Sequence, residues 1–130
     1  IDFATLTGAA RVALGTELPA LFTNNDNLGE EIINEGIKQI DPMWRLPLFS
    51  PYNKQLDKNN DAVSSTGSSG TGGAITAALF LNRFIDKNTN WAHVDLMAWN
   101  TSSRPGFPLG GEAMGLRSIV NMIIKYCSKR

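Results

Sequence analysis

Alternating strands and helices predict an α/β layered fold for this 130-residue chain. Three observations carry that expectation. Short apolar runs at 1–6, 20–23 and 91–98 fit strands, the last alternating in part. Apolar residues at three- and four-residue steps over 28–40 and 116–127 fit amphipathic helices. Glycine, proline and asparagine stand between these runs as turn formers. Apolar residues make up 42% and charged ones 18%, enough to form one core, so the sequence reads as one soluble globular domain or the larger part of one.

Each element has its own local reason. Ile1-Asp2-Phe3-Ala4-Thr5-Leu6-Thr7-Gly8 reads as a buried strand running into a glycine turn. No Met precedes it, and a central strand needs neighbours on both edges, so a piece of something larger is expected. Residues 8–14 have the small side chains of a short helix, with Gly15 placed to stop it. Ala20-Leu21-Phe22-Thr23 is a brief strand. Asn24 or Asn25 can cap the next helix, whose apolar face is Leu28, Ile32, Ile33, Gly36, Ile37 and Ile40, and Asp41-Pro42 ends it. Trp44-Arg45-Leu46-Pro47-Leu48 is expected as an extended turn bounded by prolines, and 51–56 as a short helix. The glycine- and serine-rich stretch 64–73 leads straight into the apolar helix 74–81, which makes it an ordered loop. After the strand at 91–98 comes a Pro/Gly-rich loop over 102–111. Leu116, Ile119, Val120, Ile123, Ile124 and Cys127 mark the closing helix. No internal repeat and no second domain is read.

Charge and cysteine content narrow the function. Twelve basic and twelve acidic residues cancel and are scattered, so nothing argues for nucleic acid or an anionic membrane as partner. The cluster at 125–130 reads as the solvated end of a helix with cations near its negative pole. Cys127 stands alone, which excludes an internal disulfide and suits a reducing compartment. No signal peptide and no apolar run near 18 residues is present.

The chemistry-bearing residues form no complete constellation. Gly67 and Gly72 are spaced like P-loop glycines, but Gly73 and Ala74 stand where Lys and Ser/Thr are required, and Gly70-Thr71-Gly72-Gly73 lacks the third dinucleotide-binding glycine. Small residues that let the next helix pack closely are the plainer reading. Gly67-Ser68-Ser69-Gly70 misses the spacing of a nucleophile elbow. His93 is the only histidine, and Cys127 sits on a different element, with no sequence reason for the two to meet. His93 and Asp95 share one strand face, where paired ligands are reachable but a buried, hydrogen-bonded structural role is the better reading. Asp57, Asp61, Glu17, Glu30, Glu31 and Glu35 read as loop or helix-surface charges, not as a metal cluster. The segment from Arg104 to Glu112 is either a shaped surface loop or a plain connector. Asn100-Thr101-Ser102 matches a glycosylation sequon, which carries little weight in a one-cysteine chain without a signal.

Five stretches, in order, resemble the cytosol (leucyl) aminopeptidase family of two-metal exopeptidases, in its bacterial form. They are Ala4-Thr5-Leu6-Thr7-Gly8-Ala9, Leu21-Phe22-Thr23-Asn24, Met43-Trp44-Arg45-Leu46-Pro47-Leu48, residues 73–81 and Trp91-Ala92-His93-Val94-Asp95. The resemblance implies a three-layer αβα sandwich with a mixed central sheet. It further implies that residues 1–130 are the C-terminal segment of one catalytic domain, incomplete at its N-terminal side. The implied activity is release of N-terminal amino acids, leucine-type, from peptides. Two divalent metal ions, Mn or Zn, and possible bicarbonate would be bound by residues upstream of Ile1. The resemblance thus assigns no catalytic and no metal residue to this segment and implies that it is inactive alone. It places Thr5, Leu6, Gly8, Thr66, Met97 and Asn100 at the substrate. Thr5 and Gly8 would border the pocket for the first side chain, and the Leu6 carbonyl and Gly8 N–H would face the substrate backbone. Met97 and Asn100 depart from the family's small and apolar residues, a change in pocket size and polarity that bears on leucine preference. A homo-hexamer in the cytoplasm is the implied assembly and location. Two other classes stay open: a non-catalytic binding or assembly module on the same scaffold, and a small α/β binding domain complete as it stands.

Overall fold

The computed structural model describes residues 1–57 and 68–128. Thr66, Asp61 and residues 64–67 of the expected ordered loop lie outside the described residues. In chain order the elements are β1 (Asp2–Ala4), α1 (Gly8–Leu14), β2 (Ala20–Thr23), α2 (Asp26–Lys38), β3 (Trp44–Arg45), a 3-10 turn (Ser50–Gln55), α3 (Gly73–Asn82), β4 (Ala92–Asp95), β5 (Trp99–Asn100), β6 (Gly110–Gly111) and α4 (Leu116–Ser128). Four strands join in the order β1-β4-β2-β3. β1 is parallel to β4 and β3 to β2, whereas β2 and β4 are antiparallel, so the sheet is mixed.

Alternation along β2 and β4 divides the core in two. Leu21, Ala92 and Val94 face Ile32 of α2 and Ile119 and Met122 of α4. Ala20 and Phe22 face Ala10 of α1 and Ala74 and Ala78 of α3. Helices therefore cover both faces, giving the αβα sandwich. The helix starts follow side-chain capping: Thr7 accepts from Ala10 N–H, and Asn25 accepts from Leu28 N–H. Gly15, at φ 82°, ends α1 where a side chain would be strained. At Gly73 an added Cβ would stand 3.1 Å from Ala9 Cβ, so glycine is what lets α3 approach α1.

Several expectations are corrected. The buried strand over residues 1–6 shortens to Asp2–Ala4 and forms an edge of the described sheet, leaving Ile1, Phe3 and Leu6 exposed. The extended turn at 44–48 contributes a strand, because Trp44 N–H donates to Pro19 and Leu46 N–H to Leu21. The sheet portion of 91–98 stops at Asp95, and Trp99–Asn100 pairs instead with Gly110–Gly111 inside the expected loop. Ile37 and Ile40 do not belong to a buried face. α2 ends at Lys38, Ile40 adopts φ 52°, and both side chains are exposed. On α4, Ile119 and Met122 are buried, while Leu116, Val120, Ile123, Ile124 and Cys127 are exposed.

Glu35 is the clearest reversal, because it is buried and not a surface charge. Its Oε1 accepts from Lys38 at 2.8 Å and from Lys125 at 3.0 Å, which ties α2 to α4. At the next residue, Gly36 allows the close crossing, since a Cβ there would stand 3.0 Å from the Asp41 carbonyl oxygen. Asp41 then caps α4: its carboxylate accepts from Gly115 N–H at 2.8 Å and Ser118 N–H at 3.2 Å, and its carbonyl accepts from Ser118 Oγ at 2.6 Å.

The hydrogen bonds from Lys38 and Lys125 hold the Glu35 carboxyl below its ordinary 4.5, and Glu35 holds Lys125 above its ordinary 10.5. A lowered carboxylate stabilises the fold above its unfolded value and loses that contribution as pH falls through the lowered one. A raised amine does the opposite, keeping its contribution below 10.5 and losing it as pH rises through the raised value. We therefore expect Glu35→Gln to lower the thermal midpoint at pH 7, with the gap from wild type closing as pH falls below about 4.5. Melting curves of both proteins from about pH 3 to about pH 7 check this; a gap that stays constant refutes it.

Candidate functional site

Because β1 and β4 are parallel, their C-terminal ends deliver residues 5–8 and 96–98 to the same side of the sheet. Strand C-terminal ends are where α/β sheets hold ligands. One buried carboxylate shapes this place. Asp95 Oδ1 accepts from Leu6 N–H at 3.0 Å and Thr7 N–H at 3.3 Å, and Oδ2 accepts from Thr7 Oγ1 at 2.7 Å. Thr7 Oγ1 in turn accepts from Ala10 N–H at 3.0 Å, so the carboxylate orients the cap of α1 through one hydroxyl. Leu96 N–H donates to Ala4 O at 3.1 Å, extending the strand pairing by one step. Thr5, Leu6 and Gly8 are left exposed on the outer side of this turn. Gly8 is the first residue of α1, where helix geometry leaves the N–H without a partner four residues back.

Of the other expected site residues, Met97 joins this place and Asn100 sits apart in the hairpin. Met97 Sδ accepts from Arg11 Nη1 of α1 at 3.4 Å. Asn100 is buried, and its Nδ2 donates to the Pro108 carbonyl at 3.1 Å and Glu112 Oε2 at 2.7 Å, so its amide holds β5, the loop and Glu112 together. The 104–107 segment is a shaped loop: Arg104 and Phe107 exchange two backbone hydrogen bonds at 2.9 Å, the Arg104 guanidinium lies 4.5 Å from the Phe107 ring centre, and it also pairs with Glu17.

His93 and Asp95 share a buried strand face as expected, but each has its own partner. His93 Nδ1 lies 2.5 Å from Asp2 Oδ1, and Trp91 Nε1 donates to Asp2 Oδ2 at 2.6 Å. The His93 ring stacks between Trp91 and Phe22, and its Nε2 is buried without a hydrogen-bond partner. Nothing brings Cys127 to this histidine, since Cys127 is exposed on α4. Among the described residues no group of three His, Cys, Asp or Glu could hold a metal ion. No helix among them is long and apolar enough to cross a membrane. An apolar groove of about 530 Å³ runs between α1 and the start of α3, lined by Ala9, Val12, Ala13 and Ile75 among others, but by none of Thr5, Leu6, Gly8, Met97 or Asn100.

These features place an exposed strand–helix turn at the C-terminal ends of two parallel strands of an α/β domain. Comparison with known proteins takes the assignment further. The description "Cytosol aminopeptidase family, catalytic domain" matches residues 1–120, and the chain belongs to that family. A probable cytosol aminopeptidase of Chlorobium phaeobacteroides is 41% identical over 127 residues, covering 97% of this chain and 25% of the relative. The crystal structure of cytosol aminopeptidase from Coxiella burnetii superposes with a TM-score of 0.90 at 48% identity, covering 95% of this chain and 27% of that one. The bottromycin maturation enzyme BotP in complex with Mn gives a TM-score of 0.86 at 34% identity, with 94% and 27% covered. The chain thus spans about a quarter of the length of these relatives.

Sequence reasoning passed over Arg11 and gave Asp95 no part in the turn. The signal for Arg11 was its place three residues after Gly8, which puts both on one helix face. The Asp95 contacts join residues 88 and 89 positions apart, which no local pattern reveals. Replacing Asp95 by Asn keeps the size and loses one acceptor, so we expect a loss of about 1–3 kcal/mol. Amides at 6–10 should then exchange with solvent faster than those of β2; hydrogen-exchange mass spectrometry finding residues 6–10 equally protected in both proteins would show that Asp95 does not hold the turn.

Proposed function

We propose that the whole protein is a metal-dependent aminopeptidase that releases N-terminal amino acids, leucine-type, from peptides, and that residues 1–130 are the C-terminal segment of its catalytic domain. The observation that carries this reading is family membership across residues 1–120 together with the TM-score of 0.90 to the Coxiella burnetii enzyme. In this reading the segment supplies core and the wall against which a peptide's first residue is held. The Leu6 carbonyl accepts a hydrogen bond from the substrate backbone, and the Gly8 N–H donates one. Thr5, Gly8 and Met97 line the pocket for the first side chain. Asn100 supports that pocket from the hairpin, and Thr66 borders the second one.

Two divalent ions, Mn or Zn, belong to this reading, and one structural relative was solved with Mn. The described residues do not fit them, having no three-ligand group. In this reading the ions, and any bicarbonate, are bound by residues upstream of Ile1. A cytoplasmic homo-hexamer acting on peptides completes the proposal, and exposed apolar residues such as Val12, Ile40 and Ile124 suit subunit contact.

The test is hydrolysis of leucine p-nitroanilide by the full-length protein. We expect activity with added Mn, its loss on chelation, and none from residues 1–130 alone. An inactive metal-loaded full-length protein refutes the activity, and turnover by the isolated segment refutes the placement of the ions.

A further inference from the structure

Arg11 is held over the proposed first side-chain pocket by contacts with two of its residues. Nη1 donates to Met97 Sδ at 3.4 Å, and a Cβ added at Gly8 would stand 3.6 Å from Nη2. Both ends of the guanidinium therefore lie against the glycine and the thioether assigned to one wall. Its charge is otherwise uncommitted among the described residues. Arg45, Arg83 and Arg104 each pair with a carboxylate, Asp26, Asp57 and Glu17 respectively, whereas Arg11 takes part in none of the ion pairs found. A thioether is a weak acceptor, so most of the five N–H donors of this planar, permanently charged group stay available.

Such a fork matches a carboxylate with two parallel hydrogen bonds. Gly8 adds no side chain between the guanidinium and the outer side of the turn, where the Leu6 carbonyl and Gly8 N–H would hold the substrate backbone. We infer that Arg11 is a specificity-determining residue that recognises a carboxylate on the peptide's first side chain, so that N-terminal glutamate or aspartate is taken in preference to glutamine or asparagine. The inference rests on the pocket assigned under the proposed function. It extends the leucine-type reading to acidic first residues.

Glutamyl and glutaminyl substrates have nearly the same size and shape, so comparing them isolates charge. In the Mn-loaded full-length protein, kcat/KM for glutamate p-nitroanilide should exceed that for glutamine p-nitroanilide by roughly tenfold or more, the scale of one hydrogen bond to a charged group. Arg11→Met should bring the ratio near one, with circular dichroism showing that the variant is folded, and Arg11→Lys should keep part of the preference. Equal rates in the wild type, or a preference that survives Arg11→Met, overturn the inference. Calorimetric binding of free L-glutamate and L-glutamine to the same proteins gives a readout that does not need turnover. If no aminoacyl substrate is hydrolysed, the aminopeptidase reading fails, and binding decides the inference. Tighter glutamate binding that Arg11→Met abolishes supports it, and equal or absent binding overturns it.

Discussion

The buried carboxylate of Asp95 is the constraint on which the turn from β1 into α1 depends. A carboxylate without hydrogen bonds could not stay in a site 3% exposed, and here three donors from Leu6 and Thr7 satisfy it. The donors are consecutive residues leaving β1, so satisfying the charge also fixes the direction in which the chain enters α1. With those N–H groups turned inward, Thr5, Leu6 and Gly8 remain exposed on the other side. A core requirement and the exposure of the turn's outer side thus come from the same three hydrogen bonds.

The sheet behind this turn is held by two unlike layers. Towards α1 and α3 the contacts rely on small residues, with Ala10, Ala74 and Ala78 buried against Phe22 and with Gly73 close to Ala9. Towards α2 and α4 the packing is larger and includes Ile32, Met43, Ile119 and Met122. There two buried carboxylates, Glu35 and Asp41, join the helices that carry no covalent or strand connection to each other. Glu35 accepts from Lys38 of its own helix and Lys125 of α4, and Asp41, just past α2, accepts from the start of α4, which fixes the crossing as well as the distance.

Local patterns were sufficient where the cause was local. The cap at Asn25, the stop at Gly15 and the strand at Ala20–Thr23 follow from neighbours in sequence, and all were legible. The misread positions depend on distant partners. Glu35 looks like a helix-surface charge until Lys125, ninety residues away, is brought beside it. Trp44–Arg45 lacks a strand's length and alternation, and only the ladder bonds to Pro19 and Leu21 make it one. Ile37 and Ile40 continue the apolar spacing of α2, but Ile37 sits on the exposed side of its last turn and Ile40 stands beyond its end at φ 52°, so both face solvent. At the candidate site, the placement of Arg11 against Met97 was not legible, because the two lie 86 positions apart.

By itself the sequence determined the alternation of strands and helices, the stop of α1, the capping of α2, and membership of the cytosol aminopeptidase family, because periodicity, capping and motif order are written in adjacent residues. Tertiary structure decided which charges are buried, which edge strand carries the turn, and that Asp95, Arg11 and Met97 meet at the ends of β1 and β4. The reason is physical. A buried polar group is defined by the partner that satisfies it, and chain folding brings these partners together from positions more than eighty residues apart.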